Sequence, residues 1–209
     1  MSPQHRLGEH GWLDAYAAPT VTPGGGSASA VSAALGCALL AMTARIGARR
    51  ADPERAERLD RLAGEADRLR AVLVEQERTD AGVYERMVAT VRAARATEGD
   101  PGAARAAEAA RVDATDVPLT TAELAADGLG LAAELAGMEL ARMASDQLVA
   151  AHLLTAGLEG GRSTVAFNLG RMAPGPARDD LAARAGRLEE ARRSAAALLE
   201  RLAAMVEQP

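Results

Sequence analysis

The chain has 209 residues, of which 48% are hydrophobic, 25% charged and only 2% aromatic, with a net charge of −5 and a pI near 5.3. Alanine supplies 51 residues and lysine none, so all 24 basic residues are arginine. The missing amine excludes a Walker-type phosphate loop and Schiff-base chemistry. The acidic balance argues against nucleic acid or an anionic membrane as main partner, and four aromatic residues cannot build a single-strand stacking platform. Alanine and leucine favour helix, and β-branched residues are few, so the expected fold is all-α.

The first twenty residues hold scattered charges and no apolar run, so no secretory signal is expected. Glu9 to Ala17 reads as a short helix docking through Trp12, Leu13 and Tyr16. Pro19 to Ser27 (PTVTPGGGS) is a run no regular element tolerates. An uncharged helix follows, from about Ser27 to Ile46. It is rich in Gly, Ala and Ser, and its apolar part is short for a bilayer span, so it is expected to be buried. Cys37 on this helix is the only cysteine, so no internal disulfide is possible and a cytoplasmic location is expected.

Asp52-Pro53 and Asp100-Pro101 each pair an N-cap with proline at the first helical position. From Pro53 to Ala96 a heptad seam runs through Leu59, Leu62, Ala66, Leu69, Leu73, Gln76, Asp80, Val83, Met87 and Val91. Such a helix would span ~65 Å at ~1.5 Å per residue, far more than the ~17 Å radius of gyration of a compact domain this size. It therefore bends around Thr79 to Gly82 or belongs to an elongated dimer. Pro118 is expected to kink the next helix and Gly137 to weaken its end. Ser145 can cap another helix, and Pro174-Gly175-Pro176 separates it from a last one, Ala177 to Met205. Five to six helices in a single domain, residues 1–209, make one bundle.

Three features could carry chemistry. Asp80 puts a carboxylate where the seam expects leucine; desolvated there, it would have a raised pKa suited to proton transfer, or it pairs with an arginine such as Arg162. Pro23-Gly24-Gly25-Gly26-Ser27 leads into a helix N-terminus, where bare backbone can approach an anion or carbonyl, or forms a plain turn. Ser145-Asp146 is either a cap with a dipole-stabilising acid or a carboxylate at the mouth of the bundle. Arg45, Arg49 and Arg50 could meet an anionic ligand tail or complement a helix C-terminus. His5, His10 and His152 show no metal-binding spacing, His152 reads as a core histidine, and no metal is implied.

Taken together, these motifs resemble the cyclodeaminase/cyclohydrolase family, which includes the cyclodeaminase domain of formiminotransferase-cyclodeaminase and bacterial methenyltetrahydrofolate cyclohydrolases. The resemblance is carried by WLDAYAAPTVTPGGGSASAVSAALGCALLAMTARI, by TDAGVYERM around Asp80, by DATDVPLTTAELA around Pro118 and by SDQLVAAHLLTAGLEGGRSTVAFNLG. It implies a metal-free folate enzyme that forms 5,10-methenyltetrahydrofolate from 5-formiminotetrahydrofolate, or hydrolyses it to 10-formyltetrahydrofolate. The family's proton-transfer aspartate falls on Asp80, its Ser-Asp pair on Ser145 and Asp146, its late asparagine on Asn168 and its basic pair on Arg49 and Arg50. The glycine loop and Asp146 would meet the pterin, the arginines the glutamate tail, and a homodimer would form through the small-residue helix. Arg78 and Thr164 stand where the family often has an acid and an asparagine. A scaffold repurposed for cyclisation or elimination on another small molecule, and a non-catalytic helical module, are the alternatives.

Overall fold

The computed structural model describes residues 11–97, 99–138 and 140–207; Glu9, His5 and His10, named above, lie outside the described residues. The order is α1 (Gly11–Ala17), α2 (Gly25–Ala48), α3 (Pro53–Ala96), α4 (Pro101–Ala136), a single 3-10 turn (Ala141–Met143), α5 (Ala144–Leu169) and α6 (Pro176–Glu207). No strand occurs among the described residues.

The helix starts follow from local chemistry. Asp52 accepts from the Arg55 N–H at 3.0 Å and Asp100 from the Gly102 N–H at 2.7 Å, each ahead of a proline that has no N–H to satisfy. Ser145 does not cap α5. The helix already begins at Ala144 with Met143 in the capping position, which leaves Ser145 exposed within the first turn.

α2 lies at the centre of the bundle and packs on α3, α4 and α5. Its lack of bulk sets the spacing. A Cβ on Gly36 would stand 2.7 Å from Leu154 Cγ, and one on Gly157 would stand 2.7 Å from the Ala33 Cβ, so α2 and α5 meet nearly backbone to backbone. Leucines fill what remains: Leu40, Leu59, Leu119, Leu154 and Leu158 are fully buried. α2 is long and apolar enough to cross a membrane, yet 61% of its most apolar window is buried inside the bundle. The small residues are thus used within the chain. What α2 turns outward is larger: Leu35 is 53% exposed, and Met42 and Ile46 lie along the same stripe, beside exposed Val149 on α5.

The seam of α3 holds where helices cover it. Leu59, Leu62, Ala66, Leu73 and Val83 are buried, whereas Leu69, Met87 and Val91 are partly covered. α3 is one continuous helix through Thr79–Gly82. Its 44 residues span ~66 Å. The length is accommodated because α3 runs on past the start of α2, paired there with the first turns of α4. Of α1, Tyr16 docks, through its hydroxyl to Glu77, while Trp12 and Leu13 stay exposed.

Candidate active site

The glycine loop and Asp80 form one unit. α2 begins after Gly24, whose extended backbone occupies the capping position but offers no side chain to the free N–H groups. Asp80, reaching across from α3, takes that role: the Ser27 hydroxyl donates to Asp80 Oδ2 at 2.8 Å, and the Ser27 backbone N–H faces the same carboxyl. An acceptor for the third residue of a helix is what a capping aspartate normally supplies from within its own chain segment. Here it comes from 53 residues away. Gly26 makes room, since a Cβ there would stand 2.7 Å from Asp80 Cγ.

The loop before α2 is tied to α3 on both sides of Asp80. Thr22 Oγ1 donates to Glu85 Oε1 at 2.7 Å, and Tyr16 OH donates to Glu77 Oε1 at 3.3 Å. The Thr22–Pro23 peptide is cis. These ties leave Asp80 half-buried, and burial raises its pKa, against the opposing pull of the Ser27 hydroxyl and backbone N–H; Glu77 adds a smaller upward push. Burial and the neighbouring Glu77 push the Tyr16 phenol up to about 12.

Above this unit opens a cavity of about 370 Å³, lined by Thr22, Gly24–Gly26, Asp80, Tyr84, Phe167 and Asn168 among others. Asn168 is held by a defect in α4. Pro118 has no N–H, so the Ala114 carbonyl loses its helical partner, and Asn168 Nδ2 donates to that carbonyl at 2.9 Å. The predicted kink site therefore has a second consequence: it docks the asparagine at the cavity wall.

The sequence-derived candidates separate into two groups. Gly24, Gly25, Gly26, Ser27, Asp80 and Asn168 come together, with Pro23 in the adjoining loop. Arg49, Arg50, Ser145 and Asp146 do not join them within one chain. α2 and α5 run antiparallel, with Ser29 beside Gly160 and Gly36 beside Ala150, so the start of α5 lies at the far end of α2. Arg49 and Arg50 follow a helix of 24 residues, ~36 Å from Gly25, and both are exposed. Arg162 does not pair with Asp80; it bonds Glu159 and Glu189 at 2.9 and 3.0 Å. His152 is exposed, not a core histidine. Among the described residues no three His, Cys, Asp or Glu side chains converge as a metal site.

Tyr84 and Phe167 were not expected at the site. Tyr84 could have been found, because it follows Asp80 by four residues and so shares its helix face. Phe167 gave no comparable signal, since an aromatic at helical spacing reads as core.

The formiminotransferase-cyclodeaminase family model matches residues 10–187. The fold is also that of a formiminotetrahydrofolate cyclodeaminase from Thermotoga maritima, seen by crystallography: the TM-score is 0.80, at 24% identity over 97% of each chain. No curated protein sequence matches.

Proposed function

The chain belongs to the formiminotransferase-cyclodeaminase family, and from that premise we propose that it is a cytoplasmic folate one-carbon enzyme that closes or opens the 5,10-methenyl bridge of tetrahydrofolate, with Asp80 as proton carrier. The observation that carries this reading is the Asp80–Ser27 unit: a partly desolvated carboxyl, held by the Ser27 hydroxyl, at the wall of a cavity bounded by bare backbone. A volume of about 370 Å³ lies within the ~300–1,000 Å³ usual for small-molecule sites.

In the deaminating direction N10 attacks the formimino carbon of 5-formiminotetrahydrofolate, and Asp80 takes the N10 proton. Asp80 then returns that proton to the amino nitrogen, the C–N bond breaks, ammonia leaves and the methenyl bridge is closed. In hydrolysis a water oxygen adds to the methenyl carbon and Asp80 takes its proton. Asp80 then returns that proton to N5 as the carbon–N5 bond breaks, and the hydroxyl releases its own proton to solvent, which leaves 10-formyltetrahydrofolate. Either course needs one group that accepts and then releases a proton, which a carboxyl with a raised pKa does better than an ordinary aspartate. Neither course needs a metal. Ser27 fixes the carboxyl, and Asn168 offers the substrate its amide oxygen and remaining N–H.

The enzyme acts as a homodimer in this reading. Ala28, Leu35, Met42 and Ile46 on α2, with Val149 on α5, make an outward apolar stripe suited to a self-complementary contact. A two-fold axis at the middle of α2 would set two copies of that helix antiparallel. The end carrying Arg49, Arg50, Ser145 and Asp146 would then approach the other subunit's cavity. This accounts for site residues that lie apart in one chain.

The test is spectrophotometric. Growth of methenyl absorbance from 5-formiminotetrahydrofolate assigns the deaminase, and its accelerated loss from 5,10-methenyltetrahydrofolate assigns the hydrolase. Neither change, with no folate bound, would overturn the reading.

A further inference from the structure

Phe167 is 57% exposed at the rim of the cavity, and the Arg171 guanidinium lies over one face of its ring, 3.4 Å from the centroid. Arg171 Nη1 also donates to the Phe167 carbonyl oxygen at 2.9 Å, so ring and guanidinium are held as one unit. A phenyl ring left more than half exposed forgoes much of what burial would contribute, and this chain has a single phenylalanine to place. Arg171 uses one of its five N–H bonds on that carbonyl. Near this end of α5 several arginines are ion-paired, among them Arg111, Arg162 and Arg178, whereas among the described residues no ion pair is made by Arg171. The other candidate cations, Arg49 and Arg50, lie ~36 Å away along α2 in the same chain and reach a cavity only across the proposed dimer.

We propose that Phe167 and Arg171 form the docking site for an aryl–carboxylate segment of the substrate, the part that leaves the cavity once the reacting ring lies against Asp80. This rests on the folate reading, in which the segment is the aminobenzoyl ring with its glutamate carboxylates. Tyr84, one helical turn beyond Asp80, bounds the inner chamber. Phe167, on the facing helix, meets the ligand where it emerges. The exposed part of the ring can then stack on an aryl group, which is favourable for any π face. The free N–H bonds of Arg171 then take a carboxylate, with the fork geometry that suits a bidentate pair. The substrate is thus recognised in two parts, a reacting ring by the Asp80 unit and an anionic aryl tail by the rim.

Calorimetric titration of the full chain with two stable ligands separates the parts: 5-formyltetrahydrofolate, and 5-formyl-6-methyltetrahydropterin, which keeps the ring and lacks the tail. The unmodified protein should bind the folate at least ~10-fold more tightly. Arg171→Gln and Phe167→Leu should each weaken folate binding by about 5–10-fold, the range of one cation–π or stacking contact, and leave the pterin within about twofold. Phe167→Leu keeps an apolar side chain for packing, so a loss there reports the ring and not the fold. Equal weakening of both ligands, or no change in either, overturns the proposal, as does a tail preference abolished by Arg49→Gln or Arg50→Gln and kept by Arg171→Gln. If the unmodified protein binds the two ligands equally, this inference alone fails. If it binds neither, the folate reading fails with it.

Discussion

A Cβ on residue 26 would stand 2.7 Å from Asp80 Cγ, so the second residue of α2 is glycine because an aspartate from α3 occupies the space its side chain would need. The backbone and the carboxyl meet at a helix start that lacks a cap of its own, and the Ser27 hydroxyl bond holds them there. Gly26→Ala should displace Asp80 and cost on the order of 1–3 kcal/mol of stability, the usual range for overpacking. Activity should fall more steeply, by about 100-fold, because a shift of ~1 Å at a catalytic group has that effect. Gly186→Ala, on α6 away from the cavity, is the control, since nothing lies within 4 Å of its Cβ position. Thermal melts and kcat/KM for the pair decide the matter; equal effects at both positions would remove the steric argument.

The pH profile reports on Asp80 and Glu77 together. Burial raises the Asp80 pKa, and the Glu77 charge raises it further. In the proposed mechanism Asp80 takes the first proton and must be ionised, so kcat/KM should fall as pH drops through that raised pKa, above the ~3.9 of an ordinary aspartate. Glu77→Gln removes the upward push and should move this acid limb to lower pH. A limb that stays in place would assign it to another group. The stability linkage has the matching sign. A carboxyl with a raised folded pKa favours the folded state fully below its unfolded pKa, and that contribution is lost as pH rises through the folded pKa. Asp80→Asn should therefore raise the melting temperature at pH 7 while lowering kcat by ~10² or more.

Pro118 acts on the site through Asn168. The Ala114 carbonyl is available to the asparagine amide because residue 118 has no N–H to give it. Pro118→Ala restores that donor, and the helical bond then competes with the Asn168 amide. The fold should not weaken, because proline inside a helix is itself unfavourable. Turnover should drop several-fold, and adding Asn168→Ala to Pro118→Ala should cost less than the two separate losses combined, as expected for residues acting through one contact. Independent, additive losses would show that Pro118 serves packing alone.

Helical periodicity was enough to place Asp80 on an inward face, and the bare glycine run was enough to mark a helix start with exposed N–H groups. That the two are one unit was not legible, because it depends on a hydrogen bond between residues 53 apart. The four candidates at the far end, Arg49, Arg50, Ser145 and Asp146, show the same limit. Each sits at a helix terminus the sequence marks, but which terminus lies beside the glycine loop is fixed by the antiparallel packing of α2 on α5, made close by Gly36 and Gly157. The length of α3 left two readings open, a bend around Thr79–Gly82 or an elongated dimer; the helix runs unbroken through those residues and extends past its neighbour, which chain length alone does not reveal.

Mixing two inactive variants tests whether that far end serves a partner's cavity. Suppose Asp80 from one subunit works with Asp146 from the other, as the proposed two-fold arrangement requires. Asp80→Asn and Asp146→Asn homodimers then each lack an essential carboxylate at both sites. A mixed dimer carries one site with both changes and one with neither. Random re-association makes about half of the dimers mixed, so recovered activity should approach about a quarter of the unmodified level, following the symmetry of an isologous pair. Leu35→Arg, which places a charge on the outward stripe 53% exposed in the single chain, should yield a monomer by sedimentation and prevent the recovery. No gain on mixing, with both variants dimeric, would mean that Asp146 takes no part in the other subunit's site, and Arg49 and Arg50 would lose their route to the substrate with it.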